Sequence, residues 1–171
     1  MMMKIVSILL LWLLFSSVCQ ASELDELSKK YSKIYIKNVE GRRLFRGIIK
    51  VESNDGKYIV GELDPSFGIT QMKVSAVRDA ARYFKIKIPE SDDKIIWKLL
   101  KDKEFSIKLG AAYFGLLEKR FKGINDSKVV VIAYNEGAKS VKEKLKKQEL
   151  SEVYLNKVLK ATEEVYAKGG D

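Results

Sequence analysis

Asp126-Ser127-Lys128-Val129-Val130-Val131-Ile132-Ala133-Tyr134-Asn135-Glu136-Gly137 is the stretch on which the fold turns. Four consecutive β-branched residues, Val129 to Ile132, carry the propensity of a buried strand. The flanks argue the other way. Asp126 and Ser127 are good helix N-caps, and Gly137 is a good C-terminal stop. The stretch therefore reads as a buried helix, and the domain around it as mainly α.

Outward from it, the same 3.6-residue period recurs. Leu24, Leu27, Tyr31 and Ile34 predict a first helix from about Ser22 or Glu23, broken by Gly41. Leu44, Ile48, Ile49 and Val51 form the apolar side of a second, which ends near Glu52 and Ser53 where Asn54-Asp55-Gly56 supplies turn chemistry. Val74, Val77, Ala81 and Phe84 predict another helix, and Ile95, Ile96, Leu99 and Leu100 one more behind a Ser91-Asp92 cap. Phe105, Leu109, Ala112, Tyr113, Leu116, Leu117 and Phe121 make the longest. Val141 with Leu145, then Leu150, Val153, Tyr154, Val158, Ala161 and Val165, complete the set. Between Lys57 and Thr70 the texture differs: Tyr58-Ile59-Val60 is β-favourable, Asp64-Pro65-Ser66 is a turn signal, and a small hairpin or ordered loop is expected.

The amino terminus has the pattern of an export signal, with Lys4 ahead of an apolar run from Ile5 to Phe15 and small residues at Cys19 and Ala21. Cleavage is expected after Ala21, leaving residues 22–171 as a single domain. The run is short of the roughly 20 residues that span a bilayer, so retention as an anchor is the lesser reading. Acylation of Cys19 is disfavoured by the bulk of Val18. The chain carries a net charge of +9, and loss of Lys4 with the signal leaves +8. Such a charge outside the cytoplasm suits an anionic envelope polymer or membrane surface, or is a plain solvated surface.

There is no histidine, and Cys19 is the lone cysteine. A Ser-His-Asp triad, a Cys-His pair and a Cys/His zinc site are excluded, and no metal or organic cofactor is expected. Proton transfer falls to a carboxylate, a lysine or a tyrosine. Glu52, at the boundary of a buried helical face, is the placed candidate, because partial desolvation raises a carboxyl pKa toward the working pH.

Three pieces in order, Glu52-Ser53, Gly68-Ile69-Thr70-Gln71-Met72 and Ala133-Tyr134-Asn135-Glu136-Gly137, resemble the soluble lytic transglycosylase family over roughly Leu44 to Val141. The resemblance implies a lysozyme-like α+β domain, a helical bundle with a small β-hairpin or loop near 57–70. It also implies cleavage of the MurNAc-GlcNAc bond of peptidoglycan with formation of 1,6-anhydro ends. Glu52 would be the single general acid/base, whereas most glycosidases use two carboxylates. Ser53 would bind substrate or cap the helix, Gly68 would allow close backbone approach, and Gln71 would line the groove. Tyr134 would fix the orientation of Glu52, and Asn135 would shape the groove.

The pattern has departures. Ile69-Thr70 stands where the family has Leu-Met, which implies a groove of different polarity, and Lys73 follows Met72. The family's Ala-x-Ser segment is replaced by Asp64-Pro65-Ser66, and Glu136 stands where a small residue is usual. Glu136 reads as a solvent-facing acid, with a second acid in the groove as the alternative. Peptidoglycan strands are the expected partner, with an envelope-spanning secretion, conjugation or motility apparatus beside them; nucleic acid is not expected, and the protein is expected to act as a monomer. The competing readings are a goose-type muramidase that adds water and a non-catalytic peptidoglycan-binding assembly protein. The basic stretch Lys142, Lys144, Lys146 and Lys147, interleaved with Glu143 and Glu149, reads as a solvated helix face.

Overall fold

The protein's structure is a computed structural model that describes residues 23–61, 65–124 and 126–168. The predicted export segment, Asp64 of the predicted turn, and the Gly169-Gly170-Asp171 tail lie outside the described residues. Eight helices follow one another among those described: α1 (23–35), α2 (Val39–Ser53), α3 (Val74–Phe84), α4 (Asp92–Lys101), α5 (Lys103–Arg120), α6 (Ser127–Glu136), α7 (Ala138–Lys147) and α8 (Val153–Lys168).

α6 is helical despite its β-branched run. Asp126 accepts the Lys128 N–H, and Gly137, at φ +85°, returns its own N–H to the Ala133 carbonyl. Both caps satisfy backbone groups that a strand would have had to pair elsewhere. Val129, Val130, Val131, Ile132 and Ala133 are all buried, so packing rewards the helix on every side.

α5 is the core element. Phe105, Ile107, Leu109, Phe114 and Leu117 are buried around most of its circumference, the pattern of a helix enclosed by its neighbours. It packs against α3, α4 and α6, while α2 packs against α6 and, most extensively, α8. The α2–α8 contact is close because Gly47 has no side chain: a Cβ there would lie 2.7 Å from the Val158 carbonyl oxygen. This approach brings the start of α8 to the end of α2.

Four local expectations change. α1 ends before Gly41, and the break falls at Ile36 to Asn38, where Asn38 caps α2 by accepting the Glu40 N–H. Gly41 instead lies in the first turns of α2, where a Cβ would lie 3.0 Å from the side chains of Phe114 and Glu118. Ile34 is 62 % exposed, and the buried face of α1 runs through Leu24, Ser28, Tyr31 and Ser32. In α8 Val153 faces solvent, and Leu155, Val158, Ala161 and Thr162 turn inward. Ser91 does occupy the N-cap position of α4, but its side chain makes no capping bond; Arg78 binds Asp92 and the Glu90 carbonyl there.

The region between α2 and α3 forms no strand among the described residues. It folds into a tight double turn held by isolated bridges, Val60 to Phe67 and Phe67 to Met72. Phe67 and Met72 exchange both N–H bonds, at 3.0 and 2.9 Å, around Gly68 to Gln71. Gly68 sits at φ +81°, and a Cβ there would meet the Leu99 carbonyl oxygen at 2.6 Å, so the position needs glycine for both dihedral and space. Thr70 is fully buried and donates to the Ser106 carbonyl of α5 at 3.0 Å. Ile69 is buried as well. The departure at Ile69-Thr70 therefore falls in the core, and it leaves groove polarity unchanged.

Candidate active site

Glu52 lies in the last turn of α2, half-buried. The turn beyond it is braced by charge. Asn54 and Asp55 both take positive φ, and Asp55 accepts from Arg46 at 2.6 Å and from Lys50 at 2.9 Å. Burial alone would raise the Asp55 carboxyl; the Lys50 and Arg46 cations outweigh it and hold the group below its usual range. Arg46, itself buried, also binds Asp25 of α1 at 2.5 Å. The helix end that carries Glu52 is thus tied to two other parts of the fold.

Burial pushes the Glu52 carboxyl above the ordinary glutamate range, and a hydrogen bond from Tyr154 partly opposes that rise. The negative end of the α2 dipole acts in the same direction as burial. Tyr154, the second residue of α8, donates its hydroxyl to Glu52 Oε1. With Oε1 engaged, Oε2 is the oxygen left to carry and deliver a proton. Burial and the Glu52 charge hold the Tyr154 phenol well above its usual pKa, so it remains a donor.

Glu52 opens into a cavity of about 250 Å³ that is also lined by Ser66, Gln71, Tyr113, Tyr134, Asn135 and Glu136. Gln71 sits at φ +44°, a conformation that costs a non-glycine residue about 1–2 kcal/mol. Its amide is held at both ends: Nε2 donates to the Gly68 carbonyl at 2.8 Å, and Oε1 accepts from Ser66 at 2.9 Å. Each end of the amide retains capacity for one more bond. Ser66 thereby stands at the cavity wall.

Tyr134 lines the cavity, and its hydroxyl feels the Glu52 charge but makes no hydrogen bond to it. It donates to the Thr70 carbonyl at 2.9 Å, with the Met72 sulfur at 3.3 Å. The hydroxyl on Glu52 belongs to Tyr154, which periodicity had placed among core residues of the last helix. Tyr134 instead locks the double turn against α6, and its ring meets Tyr113 edge-on at 5.5 Å. Asn135 is exposed at the rim and its side chain makes no hydrogen bond among the described residues, which leaves its amide available.

Ser53 and Gly68 do not line the cavity. The Ser53 hydroxyl donates to the Ile49 carbonyl at 3.1 Å and accepts the Gly56 N–H at 2.9 Å. Of the two roles open to it, the structure shows the cap. Ser53→Ala is expected to destabilise the fold by about 1 kcal/mol, read as a lowered urea midpoint, while the turnover of the folded fraction stays unchanged.

Glu136 lies in the cavity wall, not out in solvent. Its Oε2 accepts from Lys144 of α7 at 2.8 Å. The two carboxylates of the cavity are therefore unlike: Glu52 has a neutral hydroxyl partner and a raised pKa, and Glu136 has a cation. Among the described residues no group of acidic, histidine or cysteine side chains could hold a metal ion. No described helix is long and apolar enough to cross a membrane. One acid able to give and retake a proton, set beside an amide and two tyrosines, suits cleavage of a glycosidic bond.

Comparison with protein families matches residues 32–156 to the model of the transglycosylase SLT domain. A search of curated proteins finds no significant match.

Proposed function

The chain belongs to the transglycosylase SLT family, and on that premise we propose that it is a peptidoglycan lytic transglycosylase with Glu52 as its single general acid/base. The observation that carries the reading is the inequality of the two cavity carboxylates.

Glu52, protonated on Oε2, donates to the glycosidic oxygen between N-acetylmuramic acid and N-acetylglucosamine as the bond to C1 breaks. The substrate's own acetamido group stabilises the cation that develops. The resulting carboxylate then accepts the proton of the muramoyl C6 hydroxyl while O6 closes on C1. One proton leaves Glu52 and one returns, and no water is consumed. A raised pKa serves the first step, and the retained Tyr154 bond steadies the charge in the second. Gln71 and Asn135 supply donors and acceptors for sugar hydroxyl and acetamido groups, and the Tyr113 and Tyr134 rings supply an apolar wall.

Incubating the protein with sacculi and weighing the released muropeptides tests the assignment. Fragments one water lighter than hydrolysed ends are expected. Glu136 in the same cavity favours a second reading, a muramidase in which a second carboxylate activates water; reducing ends would select it. The Lys144 contact opposes that role by committing one oxygen of Glu136 to a cation. We further propose that the chain is exported and cleaved after Ala21, which amino-terminal sequencing of the protein recovered from the cell envelope checks.

A further inference from the structure

A cavity of about 470 Å³ lies between α1, α2 and α8 and shares no lining residue with the cavity of Glu52. Lys29 and Lys33 of α1 and Arg42, Arg43 and Arg46 of α2 line it, and Asp25 is the one acid on its walls. Lys29 and Lys33, like Arg42 and Arg46, are four residues apart, so each pair stands on one helix face about 6 Å apart along the axis.

Most of the charge on these walls is unmatched within the fold. Arg46, 5 % exposed, is paired with Asp25 and Asp55, so the acid of the cavity is already committed. Lys29, Lys33, Arg42 and Arg43 form no ion pair among the described residues. Two of these four are nonetheless held in place, and by neutral groups. Arg42 donates from Nε to the Ile36 carbonyl at 2.9 Å and from Nη2 to the Lys37 carbonyl at 3.4 Å, which leaves Nη1 unused. The Arg43 guanidinium lies over the Tyr166 ring, 4.8 Å from its centroid. Fixing a long side chain costs rotamer freedom that a merely solvated arginine keeps. Held by carbonyls and a ring, both guanidinium groups retain their full charge for an external anion.

The number of unmatched cations selects the anion. A carboxylate carries about one charge and a phosphate monoester about two, so either would leave cations of this cavity without a counter-charge. A diphosphate carries more charge than either, on adjacent tetrahedral groups whose oxygens suit guanidinium forks from one helix and ammonium groups from the other. Val165 and Tyr166 of α8 give the cavity an apolar side, which suits the alcohol of an ester.

We infer that this cavity is a binding site for a diphosphate, held by Arg42 and Arg43 of α2 and by Lys29 and Lys33 of α1, with the buried Arg46 completing the wall. The diphosphate is either the free ion or the head of an apolar ester. The site is separate from that of Glu52.

Titration of the protein with inorganic diphosphate, followed through amide chemical shifts at constant ionic strength, tests this. Saturable shifts at Lys29, Lys33, Arg42 and Arg43 are expected, with phosphate and citrate each binding about tenfold more weakly. Arg43→Gln and Lys33→Gln, both at exposed positions, are each expected to weaken binding about tenfold by loss of one charge-assisted bond, whereas Lys147→Gln on α7 leaves it unchanged. Geranyl diphosphate separates the two sources: tighter binding than the free ion supports the site and assigns it to an apolar ester, and equal or weaker binding supports it and assigns the free ion. Shifts that do not saturate, citrate or phosphate binding as tightly as diphosphate, undiminished affinity in both Arg43→Gln and Lys33→Gln, or an equal loss in Lys147→Gln would each overturn the inference.

Discussion

Replacing Glu52 with Gln is expected to lower muropeptide release from sacculi by about 10³-fold, within the range that a positioned acid or base contributes. The amide keeps the shape of the side chain but can neither donate the proton nor take it back. Loss of fold would not be the reason for the loss of rate. The folded-state pKa of Glu52 lies above its unfolded value, with burial as the main cause. Its contribution to stability is complete below the unfolded pKa and disappears as pH rises through the folded one. Above the unfolded pKa the carboxyl therefore costs the fold, and glutamine removes that cost. Thermal unfolding should show a higher Tm for Glu52→Gln at pH 7, with the advantage gone below about pH 4. An inactive variant with a lowered Tm at pH 7 would mean that Glu52 is a structural acid.

Tyr154→Phe is expected to reduce kcat by about 10- to 100-fold, the worth of one hydrogen bond to a charged group. The bond from Tyr154 is the influence that lowers the Glu52 pKa against burial, so its removal lets that pKa climb further. The alkaline limb of the rate profile, where Glu52 loses its proton, should then move to higher pH. The loss in kcat has its origin in the second step, where the carboxylate must exist without its donor. A fall in rate with an unmoved alkaline limb would show that Tyr154 only packs against α2. KM should change little, since Tyr154 does not line the cavity.

Most helices were legible because their apolar residues recur at 3.6-residue spacing. α6 is the sharpest instance: Asp126 and Gly137 outweighed four β-branched residues, since a helix satisfies its own backbone wherever it is buried. The errors have a common cause. Period alone placed Ile34 and Val153 inward, yet which neighbour covers a helix depends on tertiary packing, and at those two positions none does. Glycine's permissiveness makes Gly41 look like a break in the sequence, whereas the close approach of Phe114 to it is not visible there.

The candidate site was legible in part for the same reason. Glu52, Gln71, Tyr134 and Asn135 do share one cavity. Tyr154 was missed as a partner because it lies 102 residues from Glu52, on a helix whose close approach depends on Gly47. A tyrosine among aliphatic residues was the available signal, since a buried phenol needs an acceptor. In sequence Glu136 reads as solvent-facing because nothing there places Lys144, eight positions on, beside it.

The central claim is that O6 of the substrate, and not water, attacks C1. Digestion of sacculi in water enriched in heavy oxygen tests it most directly. The account predicts muropeptide ends that carry no heavy oxygen and weigh one water less than hydrolysed ends; heavy oxygen incorporated at C1 of the released fragments would contradict it.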